Sequence, residues 1–142
     1  MIITNGKYVL GCLPTHSYFY EPNCLDLPKG KKEDNETESE AVIREVKEET
    51  GLDVSKKKFT YTGTFDYRPK KDLALFVLCV PKLPEKNTLH CDSKFTDYRG
   101  EVVSEHCGYE YVPIEDINNR FLPSLGPIIS KFFVEVQHGP IR

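Results

Sequence analysis

The sequence predicts an α/β fold in which strands and helices form separate layers, and three observations favour this class. Apolar strand patterns lie before and after a strongly helical segment, and a second helical pattern closes the chain. No repeat or low-complexity linker interrupts the 142 residues, a length expected of one domain with one substantial core. We therefore expect residues 1–142 to form a single domain.

Composition and charge exclude several classes of function. A net charge of −3 does not indicate a generally basic surface for nucleic acid. No apolar run approaches the roughly 18 residues of a membrane span, and no signal-peptide pattern is evident, so no membrane partner is expected. The two His-Cys dipeptides, His90-Cys91 and His106-Cys107, fit no common zinc framework. The five cysteines include no CxxC motif and are expected to be free thiols, which predicts a cytoplasmic location.

The N-terminal segment predicts a hairpin followed by an irregular stretch. Residues 2–10 alternate around Asn5-Gly6, a dipeptide that favours a type I′ turn. Residues 13–29 contain three prolines and are expected to be irregular.

The acidic segment that follows predicts a helix over residues 38–50. Thr37 and Glu40 have the spacing of a capping box, in which the threonine hydroxyl caps and the glutamate reaches back. Gly51 is a natural residue just beyond the helix, since glycine adopts the left-handed conformation at little cost.

Two strands are predicted next. Residues 59–67 alternate, and residues 73–80 are apolar on both faces, which is typical of a central strand. Residues 68–72 between them are expected to form a hairpin loop.

The C-terminal third contains fewer signals. Residues 81–104 are polar and long for a structureless loop, so they are expected to be functional or partly ordered. Residues 110–113 predict a short strand, and residues 122–136 predict a closing helix whose first turns are blunted by Pro127.

Three glutamates of the predicted helix share one face. Glu45, Glu48 and Glu49 fall within one arc of about 100° and repel one another at these spacings. Glu48 and Glu49 also lie near the negative end of the helix dipole. Hard cations such as Mg²⁺ or Mn²⁺ would remove that repulsion. Spacing alone leaves two interpretations open, a divalent-ion site and an exposed acidic face. The separate core stripe contains Ile43, Val46 and Thr50.

The segment of residues 30–52 resembles the signature of the Nudix hydrolase family. All defined positions of that signature are matched, by Gly30, Glu36, Arg44, Glu45, Val46, Glu48, Glu49, Gly51 and Leu52. The resemblance implies a Nudix fold, with a mixed β-sheet sandwiched between α-helices in three α/β/α layers. It also implies hydrolysis of a nucleoside diphosphate linked to another moiety, with Mg²⁺ or Mn²⁺ as cofactor and a small nucleotide as substrate.

The resemblance also implies roles for individual residues. Glu45, Glu48 and Glu49 would bind the divalent ion, with Glu48 counted among the catalytic residues. Arg44 would orient Glu45 and belong to the catalytic set. Three further residues would support the structure of the site: Gly30, Glu36 and Gly51.

Two other segments are similar to particular Nudix subgroups. Residues 27–30 resemble the Pro-Lys-Gly segment of diadenosine polyphosphate, diphosphoinositol polyphosphate and mRNA-decapping hydrolases, which implies that Lys29 binds substrate. Residues 104–111 resemble the Glu-His segment of diadenosine tetraphosphate hydrolases, in which Glu105 would be a further metal ligand or the general base. Glu101 and Glu110 compete with Glu105 for that role.

The diadenosine tetraphosphate subgroup implies further substrate-binding residues. Tyr67 would stack on adenine, Lys70 or Lys71 would bind phosphate, and Phe121 would form the opposite aromatic wall. Aromatic residues are more often found in or near the core, and loop lysines are more often solvated, so both interpretations stay open.

The family resemblance leaves the substrate undecided. Dinucleoside polyphosphates such as diadenosine tetraphosphate are the first choice, although the chain lacks the tryptophans usual in that subgroup. RNA 5′ ends are the alternative, with a local lysine patch at positions 29, 31, 32 and 56–58. A catalytically silent Nudix-fold module that binds a nucleotide is a third hypothesis, which the intact signature disfavours. The oligomeric state stays open.

Overall fold

The computed structural model describes residues 1–15 and 23–137, so part of the predicted irregular segment, residues 16–22, lies outside the described residues. No helix in the described ranges is long and apolar enough to cross a membrane. The strands are β1 Ile2–Thr4, β2 Tyr8–Pro14, β3 Thr60–Arg68, β4 Lys71–Cys79, β5 Lys94–Thr96, β6 Val102–Ser104 and β7 His106–Pro113. The α-helices are α1 Glu38–Thr50, α2 Ile117–Arg120 and α3 Gly126–Gln137, and short 3₁₀ helices span Lys86–Thr88 and Ile114–Asp116.

Five strands form a mixed sheet in the order β3-β4-β1-β2-β7. The pair β1–β4 is parallel, whereas the other neighbouring pairs are antiparallel. Strands β5 and β6 pair separately as a small antiparallel hairpin. The predicted central position of β4 is confirmed, because it lies between β3 and β1.

The sheet is buried on both faces, since successive strand residues point to opposite sides. Ile2 and Val9 belong to a core cluster that includes residues of α2 and α3. Ile3 and Leu10 belong to a second cluster that includes Val46 of α1. Helices therefore cover both faces, which confirms the predicted α/β/α layers.

Helix α1 begins and ends as predicted. The Thr37 side chain accepts a hydrogen bond from the Glu40 backbone N–H, and the Glu40 carboxylate accepts one from the Thr37 backbone N–H. Gly51 follows with φ of 80° and donates its N–H to the carbonyl of Lys47. The left-handed conformation at Gly51 is the one that glycine adopts without steric cost.

The first hairpin is present, but its predicted type I′ turn is wrong. That turn needs positive φ at both central residues, and here Gly6 has φ of 92° whereas Asn5 does not have positive φ. Side chains organise the connection instead. The Asn5 carboxamide oxygen accepts hydrogen bonds from the N–H groups of Lys7 and Tyr8, and the Thr4 hydroxyl accepts one from Gly6.

The second hairpin is tighter than predicted. Strands β3 and β4 extend to Arg68 and Lys71, so only Pro69 and Lys70 connect them, and Lys70 takes a positive φ of 62°. The register of the pair shifts twice, between Tyr61 and Gly63 and again between Asp66 and Arg68. Each shift interrupts the alternation of side chains along β3.

The C-terminal third is more ordered than the sequence indicated. Residues 81–104 contain a 3₁₀ turn and the whole β5–β6 hairpin, which agrees with partial order. Strand β7 begins at His106 rather than at residue 110, since its whole length pairs with β2. Helix α3 begins at Gly126 rather than at residue 122. Pro127 thus lies in its first turn. A proline is tolerated there because the N–H groups of the first turn have no partner within the helix.

Removal of the cap should destabilise α1 measurably. We expect Thr37→Ala to lower the free energy of unfolding by about 1 kcal/mol, because the Glu40 N–H loses its acceptor. Chemical denaturation followed by circular dichroism measures the loss. Ser39→Ala is the matched control, since Ser39 is exposed in the same turn, and it should cost nothing. An equal loss in both variants would contradict a specific capping role.

Candidate active site

A cleft of about 1190 Å³ opens beside α1 and contains most of the predicted site residues. Its walls come from the loop before α1, from α1 itself and from the junction of β6 and β7. The acidic residues that line it are Asp26, Glu33, Asp34, Glu45, Glu48, Glu49 and Glu105, and the basic ones are Lys29, Lys31, Lys32, Arg44 and Arg68.

The guanidinium of Arg44 connects the loop before α1 to the glutamate face. Nε and Nη2 donate to the two oxygens of Glu36, at 2.7 and 2.8 Å. Nη1 donates to Glu45 Oε1 at 2.7 Å and to Glu48 Oε2 at 3.3 Å. These bonds from Arg44, together with the Glu33 N–H, lower the pKa of Glu36 to about 2. Arg44 thus contacts both Glu36 and Glu45, and its role in orienting Glu45 stays a prediction.

Glu49 is the most buried of the three helix glutamates, with 2% of its surface exposed. Its Oε1 lies 2.5 Å from His106 Nε2, and its Oε2 accepts the backbone N–H of Lys29 at 2.8 Å. Burial raises the pKa of Glu49, against the opposing effect of His106 and Lys29. The carboxylate thereby connects α1 to β7 and to the loop before the helix.

Glu45 lies directly beneath Gly30. Burial raises the pKa of Glu45, the hydrogen bond from Arg44 lowers it, and the charges of Glu49 and Glu48 raise it further. A Cβ atom at Gly30 would lie 2.0 Å from Glu45 Cδ and 2.1 Å from its Oε2. Only glycine therefore lets the loop backbone approach this carboxylate so closely.

The structure separates the three candidates for the loop carboxylate. Glu105 lies between β6 and β7 and lines the cleft. Glu101 is exposed and pairs with Arg99 at 3.2 Å. Glu110 pairs with Arg120 and does not line the cleft. Glu105 is thus the one of the three that shares the cleft with the helix glutamates.

The donor set suits a hard divalent ion, although its side chains would have to move. In residues 1–15 and 23–137, no group of three or more His, Cys, Asp or Glu side chains is arranged to hold a metal ion. All cleft carboxylates supply oxygen ligands, which Mg²⁺ and Mn²⁺ prefer. The Glu48 side chain is 41% exposed and accepts a hydrogen bond of 3.3 Å from Arg44. Burial is the main cause of the raised pKa values of Glu45 and Glu49, and the charges of neighbouring carboxylates add to it.

Two groups of residues that were predicted to bind substrate do not line the cleft. Phe121 is 2% exposed and packs in the core cluster beneath α2 and α3, so the prediction that it forms an aromatic wall is wrong. Phe121 forms an isolated parallel β-bridge with Leu25, a fully buried residue of the same cluster. Lys70 and Lys71 are exposed at the β3–β4 turn and do not line the cleft.

Tyr67 is half-buried and also does not line the cleft. Two cations that do line it, Lys29 and Arg68, lie over the Tyr67 ring at 5.1 Å from the ring centre. Stacking of Tyr67 on adenine stays a prediction, and it would require one of these cations to move.

Sequence reasoning missed several contributors to the cleft. Arg68 adjoins Tyr67 in the chain, and that adjacency was a signal that could have drawn attention to it. Lys31 and Lys32 were considered only for RNA, although they follow the motif glycine directly. The contact between His106 and Glu49 joins residues 57 positions apart, and nothing in the local pattern marks it.

Comparison with solved structures shows proteins of the same fold. The C. elegans Ap4A hydrolase in a binary complex is 22% identical over 96% of both chains, with a TM-score of 0.61. The E. coli dihydroneopterin triphosphate pyrophosphohydrolase is 20% identical over 94% of this chain and 92% of its own, with a TM-score of 0.65. The NUDIX domain of Shewanella oneidensis NrtR, complexed with ADP ribose, is 11% identical over 96% of this chain and 84% of its own, also with a TM-score of 0.65.

Sequence comparison identifies the family. No curated protein matches the chain at a significant level. A family model described as the NUDIX domain, however, matches residues 1–132, which is nearly the whole chain. The chain therefore belongs to the NUDIX family.

Proposed function

We propose that this protein is a pyrophosphohydrolase that depends on Mg²⁺ or Mn²⁺ and cleaves nucleoside diphosphates linked to a second moiety. One observation carries the proposal: five glutamates and several cations line the same cleft. Carboxylates suit the ion, and lysine and arginine suit the phosphate chain. The ion, when bound, neutralises phosphate charge and lowers the pKa of the attacking water.

The residues of the chain position this chemistry. Glu45, Glu48 and Glu49 would hold the ion, with Arg44 fixing Glu45 and His106 fixing Glu49. Such contacts restrict the carboxylates to a few orientations before any ligand binds, which lowers the cost of assembling the site.

Glu105 is the residue that we propose as the proton acceptor. It lines the cleft, and its backbone is held by bonds to Thr15 and Ser93. In the proposed reaction, water attacks phosphorus, the bond from phosphorus to the bridging oxygen breaks, and Glu105 accepts the water proton. The other role open to Glu105 is that of a further ligand to the ion.

Dinucleoside polyphosphates, such as diadenosine tetraphosphate, are the substrates that we propose first. The support comes from the Pro-Lys-Gly segment at residues 28–30 and from the Glu-His pair at residues 105–106. An Ap4A hydrolase is among the proteins of the same fold. With Phe121 in the core, base recognition has to come from other residues.

An RNA 5′ end is a second candidate substrate. Lys29, Lys31 and Lys32 line the cleft, and the latter two are exposed, so half of the predicted lysine patch is placed to contact a longer phosphate backbone. Lys56–Lys58 lie beyond the end of α1 and do not line the cleft.

Loss of the Glu48 charge should abolish turnover without loss of the fold. We expect Glu48→Gln to lower kcat at least about a hundredfold, because an amide binds a divalent ion poorly. Turnover of diadenosine tetraphosphate with Mg²⁺ measures this effect, and EDTA should abolish the wild-type activity. Glu38→Gln, at the exposed start of α1, is the matched control and should stay active. Normal turnover by Glu48→Gln would exclude the proposed metal site.

Glycine at position 30 should be essential for geometric reasons. We expect Gly30→Ala to lower kcat about tenfold or more, since the added Cβ would overlap the Glu45 carboxylate. Gly108→Ala is the control, because a Cβ there would meet Leu13 at an ordinary 3.8 Å. Thermal unfolding should confirm that both variants fold. Equal activity of the two variants would show that the close approach at Gly30 is unimportant.

A substrate panel should separate the two candidate substrates. We expect kcat/KM to be at least about tenfold higher for diadenosine tetraphosphate than for capped or triphosphorylated RNA, since the chain carries net negative charge. Mass analysis of products formed in ¹⁸O-labelled water identifies the bond that is cleaved. A preference for RNA would reverse the assignment of substrate but not of reaction.

A further inference from the structure

Two cleft cations lie against the ring of a tyrosine that is itself outside the cleft. Lys29 and Arg68 line the cleft, and both lie 5.1 Å from the ring centre of Tyr67. The Tyr67 ring packs in turn against the core cluster that includes α3 residues. Its buried hydroxyl has no hydrogen-bond partner in the part of the chain that the structure describes. Tyr67 is nevertheless among the groups that raise the pKa of Lys29, so its polar end interacts with that ammonium as well as its ring.

An irregularity in β3 explains how Arg68 reaches the ring of the residue before it. In a regular strand, adjacent side chains point to opposite faces of the sheet. The β3–β4 register shifts between Asp66 and Arg68, so the alternation is interrupted at Tyr67. The guanidinium can then lie over the neighbouring ring.

The two cations differ in how else they are held. Lys29 also pairs with Asp26 at 3.3 Å. Burial alone would lower the pKa of Lys29, but Asp26 and Tyr67 together raise it, so the amine stays charged. Arg68 forms no salt bridge with any residue in the ranges 1–15 and 23–137, and it lies exposed at the cleft. Its donors are thus available to an anion, and the ring of Tyr67 is the contact that restrains them.

We propose that Tyr67 is a positioning residue whose ring holds Lys29 and Arg68 as a pair that binds the phosphate chain of the substrate. This inference rests on the proposed function and assigns to Tyr67 a role other than base stacking. Ammonium and guanidinium groups bind to the face of an aromatic ring while keeping N–H donors for phosphate oxygens. The pair adjoins the glutamate cluster in one cleft, so a phosphate chain can contact both.

Binding of an inorganic probe separates this role from base stacking. The probe is methylenediphosphonate, a pyrophosphate analogue whose P–C–P bridge is not hydrolysed, titrated by calorimetry in Mg²⁺. We expect Tyr67→Leu to raise its Kd about tenfold, since both cations lose their aromatic contact. Tyr67→Phe keeps the ring and should restore binding. Tyr61→Leu, at the exposed other end of β3, is the control and should bind as wild type does.

Steady-state kinetics and a double-mutant cycle distinguish a positioning role from a purely structural one. Tyr67→Leu should raise KM for the nucleotide and leave kcat nearly unchanged, because the glutamate cluster is not altered. Arg68→Gln should also weaken probe binding. The effects of Tyr67→Leu and Arg68→Gln should be less than additive in the double variant, as expected when one side chain acts through the other.

The possible outcomes test two proposals separately: the positioning role of Tyr67 and the proposed pyrophosphohydrolase function. Weaker nucleotide binding with unchanged probe binding in Tyr67→Leu would assign Tyr67 to base stacking and overturn the inference. Probe binding that survives Arg68→Gln, or that is absent in the wild type, would overturn it as well. Arg68 is exposed, so that variant tests the inference even if Tyr67→Leu fails to fold. A wild-type protein that binds the probe but hydrolyses none of the nucleotides would reject the proposed function. If Tyr67→Leu and Arg68→Gln then lose that probe binding, the inference is supported.

Discussion

The crowding of negative charge on one face of α1 is the constraint on which the site depends. Three glutamates share that face, and Arg44 contacts two of them while also bonding to Glu36 in the preceding loop. A cation at this position lowers the repulsion and fixes the loop against the helix at the same time. The carboxylates are thus oriented by contacts within the protein, and the remaining negative charge is available for a divalent ion.

The third glutamate, Glu49, extends this arrangement into the sheet. Its contact with His106 joins α1 to β7, and the Tyr109 hydroxyl donates to the Glu49 carbonyl at 2.5 Å. Lys29 donates its backbone N–H to the same carboxylate while its ammonium lies over Tyr67. One residue of the loop therefore bonds to the acidic part of the cleft and supplies one of its cations. Displacement of this loop would change both parts together.

Local sequence patterns predicted the structural features that depend on residues close together in the chain. The caps of α1, its glutamate face and the central strand β4 follow from spacing, propensity and periodicity, and the family signature supplied the layers of the fold. Residue positions that depend on long-range pairing were less accessible. Phe121 looked like a candidate for the cleft but lies in the core, where it forms a bridge with Leu25. The contact of Arg68 with the Tyr67 ring depends on a register shift that the alternation of the strand does not indicate, although the two residues are adjacent in the chain.

The parallel pairing of β1 with β4 has a consequence for the order in which the molecule can fold. Ile2 pairs with Val77, so the intervening chain, which includes α1 and the whole motif, must be closed into one long loop. Closure of such loops costs entropy before any contact compensates for it, and folds rich in distant pairings fold slowly. The hairpin β3–β4 is local and can form early, whereas the cleft needs both the loop before α1 and β7. A newly synthesised chain would therefore acquire the geometry of the cleft late in folding, once the five strands have paired.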